Sequence, residues 1–154
     1  MIIELLDIGS DGLDVEGEVP VEALECREED PVRCISPIAC RLHCQIVTDE
    51  LLVDGTLSAE LALRCRRCDC RFSGQLDALL YHFDLALDPM PESVDLTADI
   101  REAIILAFPS HPICRETCKG LCAQCGTNLN DETCGCQPPA DDRWGALESL
   151  EGKE

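Results

Sequence analysis

Eight cysteines with the spacing of metal ligands are the residues of this chain best suited to chemistry. Two form a Cys-x-x-Cys pair near the middle, and six more lie within twenty-three residues closer to the C-terminus. The eight are Cys65, Cys68, Cys114, Cys118, Cys122, Cys125, Cys134 and Cys136. Zinc at structural sites is bound by four such ligands in a tetrahedron. The spacing therefore predicts metal binding.

The eight cysteines divide into two sets of four. We predict one site formed by Cys65, Cys68, Cys114 and Cys118, and a second formed by Cys122, Cys125, Cys134 and Cys136. Four thiolates leave no coordination position open for a substrate, so both sites would be structural. Gly126 suits the turn after the second Cys-x-x-Cys, where a positive φ is favoured. A single ion with spare thiols is an alternative, and Cys70 or His111 could replace a ligand of the first site.

Iron–sulfur chemistry is a second alternative. Cys118, Cys122 and Cys125 match the Cys-x-x-x-Cys-x-x-Cys pattern of radical S-adenosylmethionine enzymes. Those enzymes build a large barrel after the motif, whereas only twenty-nine residues follow Cys125 here. A simpler four-thiolate iron–sulfur cluster stays open because thiolates bind both metals. We expect one or two structural Zn²⁺ ions, and a brown purified protein would contradict this.

The thirteen cysteines of the chain are an odd number, which does not suit a closed set of disulfides. The N-terminal residues lack the basic region and apolar run of a signal peptide. No stretch approaches the roughly 20 apolar residues that span a bilayer. We therefore expect a cytoplasmic protein with reduced thiols and no membrane partner.

The net charge of −19 restricts the kind of partner. Such a chain is repelled by bare phosphate backbones and anionic membranes, because affinity for nucleic acid depends on basic residues. Aromatic residues make up only 3% of the chain, which argues against base-stacking platforms. We expect a basic protein partner, with solubility alone as the alternative explanation of the charge.

Alternating apolar and polar residues predict an antiparallel sheet. Residues 13–19 are typical of a half-buried strand. Two longer alternating runs, 38–46 and 51–65, are separated by a turn and predict a hairpin that ends at Cys65. Cys40 and Cys44 lie on the apolar face and are expected to be small core residues. Four apolar residues continue as a third strand: Phe72, Leu76, Ala78 and Leu80.

A helix is predicted over residues 97–108, with Asp95 or Thr97 as its cap and Pro109 ending it. Its apolar stripe comprises Leu96, Ile100, Ala103, Ile104 and Ala107. The predicted fold is therefore α+β, an antiparallel sheet with one main helix packed on it and a C-terminal cysteine-rich metal-binding segment.

Three segments follow from these assignments. They are a β-rich core domain over 1–110, a cysteine-rich zinc-binding segment over 111–136 joined to the core, and a linker and tail over 137–154. In the tail, Trp144, Leu147 and Leu150 predict either a short docking helix or disorder.

Catalytic machinery is not evident. We find no phosphate-binding loop, no dinucleotide-binding glycine motif and no Ser/His/Asp order. His43 and His82 lie on strands, where solvated or packed side chains are the simpler interpretation. We therefore predict no catalytic residues, no small-molecule substrate and no enzyme.

Several longer segments together resemble a known family. They are Val94–Cys114, with the core sequence Asp-Ile-Arg-Glu-Ala-Ile, then Cys118–Asn130, Cys134–Cys136 and Leu63–Cys68. Over about residues 30 to 150 the chain resembles the YceD-like family, the large-subunit ribosomal RNA accumulation proteins. The resemblance implies a bacterial cytoplasmic protein and carries over the eight cysteines named above. It does not account for Cys26, Cys34, Cys40, Cys44 and Cys70.

The resemblance and the charge together predict a non-catalytic factor that supports large-subunit ribosomal RNA accumulation and ribosome assembly. It would act through a basic protein, such as a ribosomal protein, and contact ribosomal RNA only indirectly. Two rival interpretations are an RNA-processing enzyme and a direct ribosomal RNA-binding module in the same pathway.

Overall fold

The fold was analysed in a computed structural model that describes residues 1–137, so most of the predicted tail lies outside the described residues. The predicted α+β class is confirmed. The strands are β1 (Ile2–Glu4), β2 (Leu13–Val19), β3 (Val32–Cys34), β4 (Ile38–Val47), β5 (Glu50–Arg64), β6 (Arg71–Ala86) and β7 (Ser93–Asp95), and the helix is α1 (Thr97–Leu106). Two short 3₁₀ turns, Leu5–Asp7 and Val21–Leu24, complete the described elements.

Strand β5 is the centre of the main antiparallel sheet. β6 pairs along its whole length on one edge. On the other edge, β4 pairs with residues 50–58 and β3 with residues 61–63, and β2 pairs with β4. β1 and β7 form a separate two-stranded sheet. Cys65, which follows the last residue of β5, therefore lies at the opposite end of this strand from the β4–β5 turn.

The alternation that predicts the hairpin corresponds to burial in the structure. Every second side chain of β4 from Ile38 to Cys44 is buried, and the residues between them are exposed. Cys40 and Cys44 are 1% and 0% exposed, which confirms them as small core residues. On the other face, the outward residues of β4 are exposed and those of β5 are exposed or partly buried.

The third strand departs from the expected pattern at Ala78. A register shift falls between Leu57 and Ala59, and Ala78 opposite them adopts a φ of 48°. An extra residue at such a bulge reverses which side chains point inward. Leu80 is therefore 84% exposed, and Tyr81 is buried instead.

Helix α1 packs against the sheet through Ile100 and Ile104, which are fully buried. The buried Tyr81 hydroxyl donates a hydrogen bond of 2.8 Å to Asp99 in the first turn of the helix. The predicted cap is wrong, because Leu96 is the N-cap residue and its side chain makes no capping hydrogen bond. Asp95, one residue earlier, accepts the Thr97 backbone N–H at 2.9 Å instead.

The helix ends two residues earlier than predicted. Its last residue is Leu106, and Ala107 forms the C-terminal cap. Pro109 restricts the residue before it to extended conformations, so Phe108 cannot continue the helix.

The cysteine-rich segment after α1 consists of turns, with one isolated bridge between Leu121 and Asn128. The division of the chain into three segments stays a prediction. Across residues 1–137, no helix combines the length and apolar character needed to cross a membrane.

Candidate metal sites

The eight predicted cysteines come together in two groups of four. We call Cys65, Cys68, Cys114 and Cys118 the first thiol group, and Cys122, Cys125, Cys134 and Cys136 the second thiol group. Within each group, all four sulfur atoms lie within 4.8 Å of one another. The two groups contain the same residues as the two predicted sites. Metal binding there stays a prediction.

Sulfur–sulfur distances in the first thiol group suit a tetrahedral ion. Four sulfurs placed about 2.3 Å from a central zinc ion are about 3.8 Å apart along the edges of the tetrahedron. The Sγ atoms of Cys65 and Cys118 are 3.8 Å apart. Those of Cys68 and Cys114 are 3.7 Å apart. The group therefore fits a tetrahedral ion without rearrangement of these pairs.

The first Cys-x-x-Cys turn has two backbone hydrogen bonds that define its shape. Asp69 donates to the Cys65 carbonyl at 3.0 Å, and Cys65 donates to the Cys70 carbonyl at 2.8 Å. Asp69 has a left-handed backbone conformation, with a φ of 61°. The turn directs Cys65 and Cys68 to the same side.

The second Cys-x-x-Cys turn repeats this pattern. Gly126 donates to the Cys122 carbonyl at 2.9 Å, and Cys122 donates to the Thr127 carbonyl at 2.8 Å. Gly126 has a φ of 74°, as predicted. The two turns are thus structural equivalents, with Asp69 in the place of the glycine.

Asp69 was not singled out from the sequence, because an aspartate after Cys-x-x-Cys is an ordinary surface residue. A left-handed conformation is unfavourable for most residues with a Cβ, although aspartate tolerates it better than most. Arg64 contacts both carboxylate oxygens of Asp69, at 2.5 and 2.6 Å. This two-point ion pair holds the aspartate in the turn.

The first thiol group joins β5 to the cysteine-rich segment through backbone contacts as well as sulfur. Arg66 donates its backbone N–H to Pro112 at 2.9 Å, and Leu121 donates to Arg67 at 3.0 Å. The Arg67 guanidinium donates to the Cys118 carbonyl at 3.0 Å. A segment with little secondary structure of its own is therefore attached to the end of the hairpin.

The two groups differ in burial. Cys65, Cys68 and Cys118 are buried and Cys114 is partly buried. In the second thiol group, Cys125 and Cys136 are exposed. An ion in the first group would be shielded by protein, whereas one in the second would be open to solvent and chelators.

The thiols of the first group differ in their pKa values. Burial acts to raise the pKa of Cys65, but backbone N–H groups of Cys114, Cys68 and Arg67 outweigh it and bring the pKa to about 6. Burial raises the pKa of Cys114 to about 11. One thiol thus ionises readily while a neighbour resists.

The second thiol group shows the same contrast. A hydrogen bond with Thr127 lowers the pKa of Cys125 to about 6. A hydrogen bond with Cys125 raises the pKa of Cys136 to about 12. Four thiolates can form together only when a cation offsets their repulsion, so each donor set suits a metal that displaces protons on binding.

The predicted substitutes, Cys70 and His111, are not members of either group of four. Cys70 is exposed, with its Sγ 3.3 Å from that of Cys68, and His111 is exposed. Cys34 is buried in the main core, where burial raises its pKa to about 11. Such a thiol behaves as a small apolar residue.

The histidines on the strands pair with carboxylates on the open face of the sheet. Nδ1 of His43 lies 2.6 Å from Asp14, and Nδ1 of His82 lies 2.7 Å from Asp54. Hydrogen bonding to Asp54 raises the pKa of His82. We assign no nucleophile to either histidine–aspartate pair. The absence of catalytic residues therefore stays a prediction.

Comparison with known proteins adds a family match. Residues 83–151 match the model of the family described as large ribosomal RNA subunit accumulation protein YceD. This range includes β7, α1 and six of the eight cysteines. No solved structure gives a significant match.

Three relatives illustrate the range of similarity. An uncharacterised protein of Mycobacterium tuberculosis is 32% identical over 127 residues, which cover 73% of this chain and 61% of that protein. One from Mycobacterium leprae is 30% identical over 129 residues, or 75% and 59% of the two chains. The chain thus spans about three fifths of the length of these relatives.

A plant protein carries the family name. It is the chloroplastic large ribosomal RNA subunit accumulation protein YCED homolog 1 of Arabidopsis thaliana, 34% identical over 67 residues, which cover 43% of this chain and 21% of that protein. The resemblance of this chain to the YceD-like family is thereby confirmed.

Proposed function

We propose that the protein is a non-catalytic factor that supports the accumulation of large-subunit ribosomal RNA and ribosome assembly in the cytoplasm. The observation that carries the proposal is the match of residues 83–151 to the YceD family, which is described by large ribosomal RNA subunit accumulation. The plant relative is also named for large ribosomal RNA subunit accumulation.

We propose that both thiol groups hold structural Zn²⁺. The sulfur spacing of 3.7–3.8 Å in the first group supports a tetrahedral ion of this size. Four thiolates around each ion leave no position open for substrate, which supports a structural role. The first ion would strengthen the attachment of the cysteine-rich segment to β5.

A basic protein partner is supported by the open face of the main sheet. Carboxylates point outward from β2 and β5 because they alternate with more buried neighbours. We call this set the acidic face: Asp14, Glu16, Glu18, Asp54 and Glu60. Arg41 is a basic residue among them, and it lies 3.7 Å from Glu16.

The acidic face also contains a shallow trough of about 420 Å³. Asp14, Glu16 and Asp54 contribute carboxylates to its lining, next to His43. The carboxylates of this trough complement the positive charge of lysine or arginine side chains on a partner. Such charge complementarity favours fast and selective association.

The rival function of an RNA-processing enzyme has less support. The groups with metal-ligand geometry found among residues 1–137 are both complete sets of four thiols. Catalytic metal sites keep a position open for water or substrate. Specific cleavage of precursor ribosomal RNA by the purified protein, abolished by a chelator, would overturn the proposal.

Depletion of the protein in its own organism tests the role. We expect the ratio of large-subunit to small-subunit ribosomal RNA to fall, and to recover with the wild-type gene. An unchanged ratio after complete depletion would contradict the proposed function.

Affinity purification at low and moderate salt tests the partner. Ribosomal proteins should be enriched over a mock bait of equal charge, and enrichment should fall for Glu16→Gln/Asp54→Asn. The matched control is Glu102→Gln/Asp131→Asn, which removes the same charge elsewhere. Equal enrichment by bait, variant and mock would contradict a specific basic partner.

A further inference from the structure

The basic residues of this acidic chain are concentrated around the first thiol group. Six of the twelve lysines and arginines lie in two short stretches, 64–71 and 115–119, that contain or adjoin its cysteines. We call these six the basic rim: Arg64, Arg66, Arg67, Arg71, Arg115 and Lys119. The other six are spread over the rest of the chain.

The two stretches form one region of the folded protein. Arg64 and Arg71 are directly opposite each other on β5 and β6. The Arg67 guanidinium reaches the carbonyls of Glu116 and Cys118, at 3.5 and 3.0 Å, so the first stretch touches the second. All six residues are exposed.

Part of the basic rim lines a cavity. Arg64, Arg66 and Arg67 face a cleft of about 320 Å³ that Asp69 also lines. Asp69 is paired with Arg64. Over residues 1–137, no carboxylate lies within ion-pair distance of Arg66, Arg71, Arg115 or Lys119.

A simpler explanation is that the basic rim only offsets the thiolates. Four thiolates and one divalent ion carry a net charge of about −2. Two of the six cations would balance that charge, and Asp69 and Glu116 account for two more. The remaining positive charge is not used by the thiolates or these two carboxylates, and Asp30 lines a neighbouring cavity with Arg66 without forming an ion pair with it.

We propose that the basic rim binds the phosphate backbone of RNA. We choose RNA among the possible polyanions because of the proposed function. The inference that this region binds anions at all depends only on the positions of the cations. With few aromatic residues to stack on bases, the contact would be to phosphates and independent of sequence.

The overall charge of −19 does not prevent this contact. Asp54 of the acidic face is ten residues from Arg64 along β5, a distance of about 33 Å at the usual rise of a strand. Exposed charges are screened over about 10 Å at 0.1 M salt. Glu60, four residues from Arg64, is the nearer member of the acidic face, at about 13 Å. We therefore expect RNA contact at the rim despite the net charge.

The test is binding of a fluorescently labelled 20-nucleotide polyuridine to the zinc-loaded full chain, followed by anisotropy from 50 to 200 mM salt. Four phosphate contacts, one for each rim cation without an ion-pair partner among the described residues (Arg66, Arg71, Arg115 and Lys119), predict a slope of log affinity against log salt of about −2.8 for a single strand. Arg66→Gln/Arg71→Gln should weaken binding and reduce the slope to about −1.4.

The matched control is Arg27→Gln/Arg41→Gln, which removes the same charge away from the rim and should leave the slope unchanged. Metal content and thermal unfolding of each variant are measured alongside. If Arg66→Gln/Arg71→Gln does not fold, Arg115→Gln/Lys119→Gln makes the same test from the other stretch.

Absence of wild-type binding at 50 mM salt, or equal loss in rim and control variants, would overturn the proposal. Tighter binding of a glutamate-rich peptide than of RNA at the rim would also overturn it. None of these results would contradict the proposed function. That function is contradicted only if depletion of the protein leaves the ratio of large-subunit to small-subunit ribosomal RNA unchanged.

Discussion

Single residues decide the shape of the two Cys-x-x-Cys turns. Both need a left-handed residue after the second cysteine, and the chain uses Gly126 in one and Asp69 in the other. Glycine adopts this conformation without a steric penalty, whereas Asp69 has its ion pair with Arg64. The two turns thus share a backbone conformation that glycine favours in one and an ion pair stabilises in the other.

Gly126→Ala should weaken metal binding at the second thiol group. A Cβ at Gly126 meets no atom within 4 Å, so the effect comes from the backbone conformation alone. The penalty is about 1 kcal/mol, or about fivefold in affinity. Competition with a chromophoric chelator measures it. Gly135→Ala also meets open space, without a positive φ, and an equal loss there would contradict the explanation.

His82 should titrate above the usual histidine range because Asp54 stabilises its charged form. NMR titration should show a lower pKa for His82 in Asp54→Asn, with a smaller change in Asp84→Asn. A raised folded-state pKa means that the pair stabilises the fold below about pH 6.5 and loses this effect as the pH rises through the folded-state value. No change in Asp54→Asn would show that the pair does not form in solution.

Among the elements, β6 shows most clearly how one position changes a strand. The bulge at Ala78 reverses the inward and outward directions, so Leu80 is exposed and Tyr81 reaches Asp99 of α1. The hydrogen bond between Tyr81 and α1 therefore depends on the bulge. Ala78 itself has no property that marks a bulge, which is why alternation alone predicted the wrong face for Leu80.

Ala78→Gly should stabilise the protein by about 0.5–1 kcal/mol, because glycine removes the penalty of a positive φ at this position. Denaturant unfolding measures the change. The control is Ala62→Gly in β5, where glycine only adds flexibility and should destabilise by about 0.5–1 kcal/mol. Destabilisation by Ala78→Gly of the same size as in the control would contradict the assigned bulge.

At the scale of the whole molecule, the sequence predicted what short-range patterns encode. Alternation over 38–46 and 51–65 predicted the hairpin, and ligand spacing predicted how the eight cysteines are grouped. Average charge could not predict the separation of the acidic face from the basic rim. That separation depends on the fold, which brings residues 64–71 and 115–119 together at one end of β5.

The central claim is that the chain carries two separate four-thiolate metal sites, and native mass spectrometry tests it most directly. The account predicts two zinc ions per wild-type chain and one in either Cys68→Ser or Cys122→Ser. Cys70→Ser should keep both ions, because Cys70 belongs to neither group. One ion in the wild-type chain, loss of both ions in Cys122→Ser, or iron in place of zinc would contradict the account.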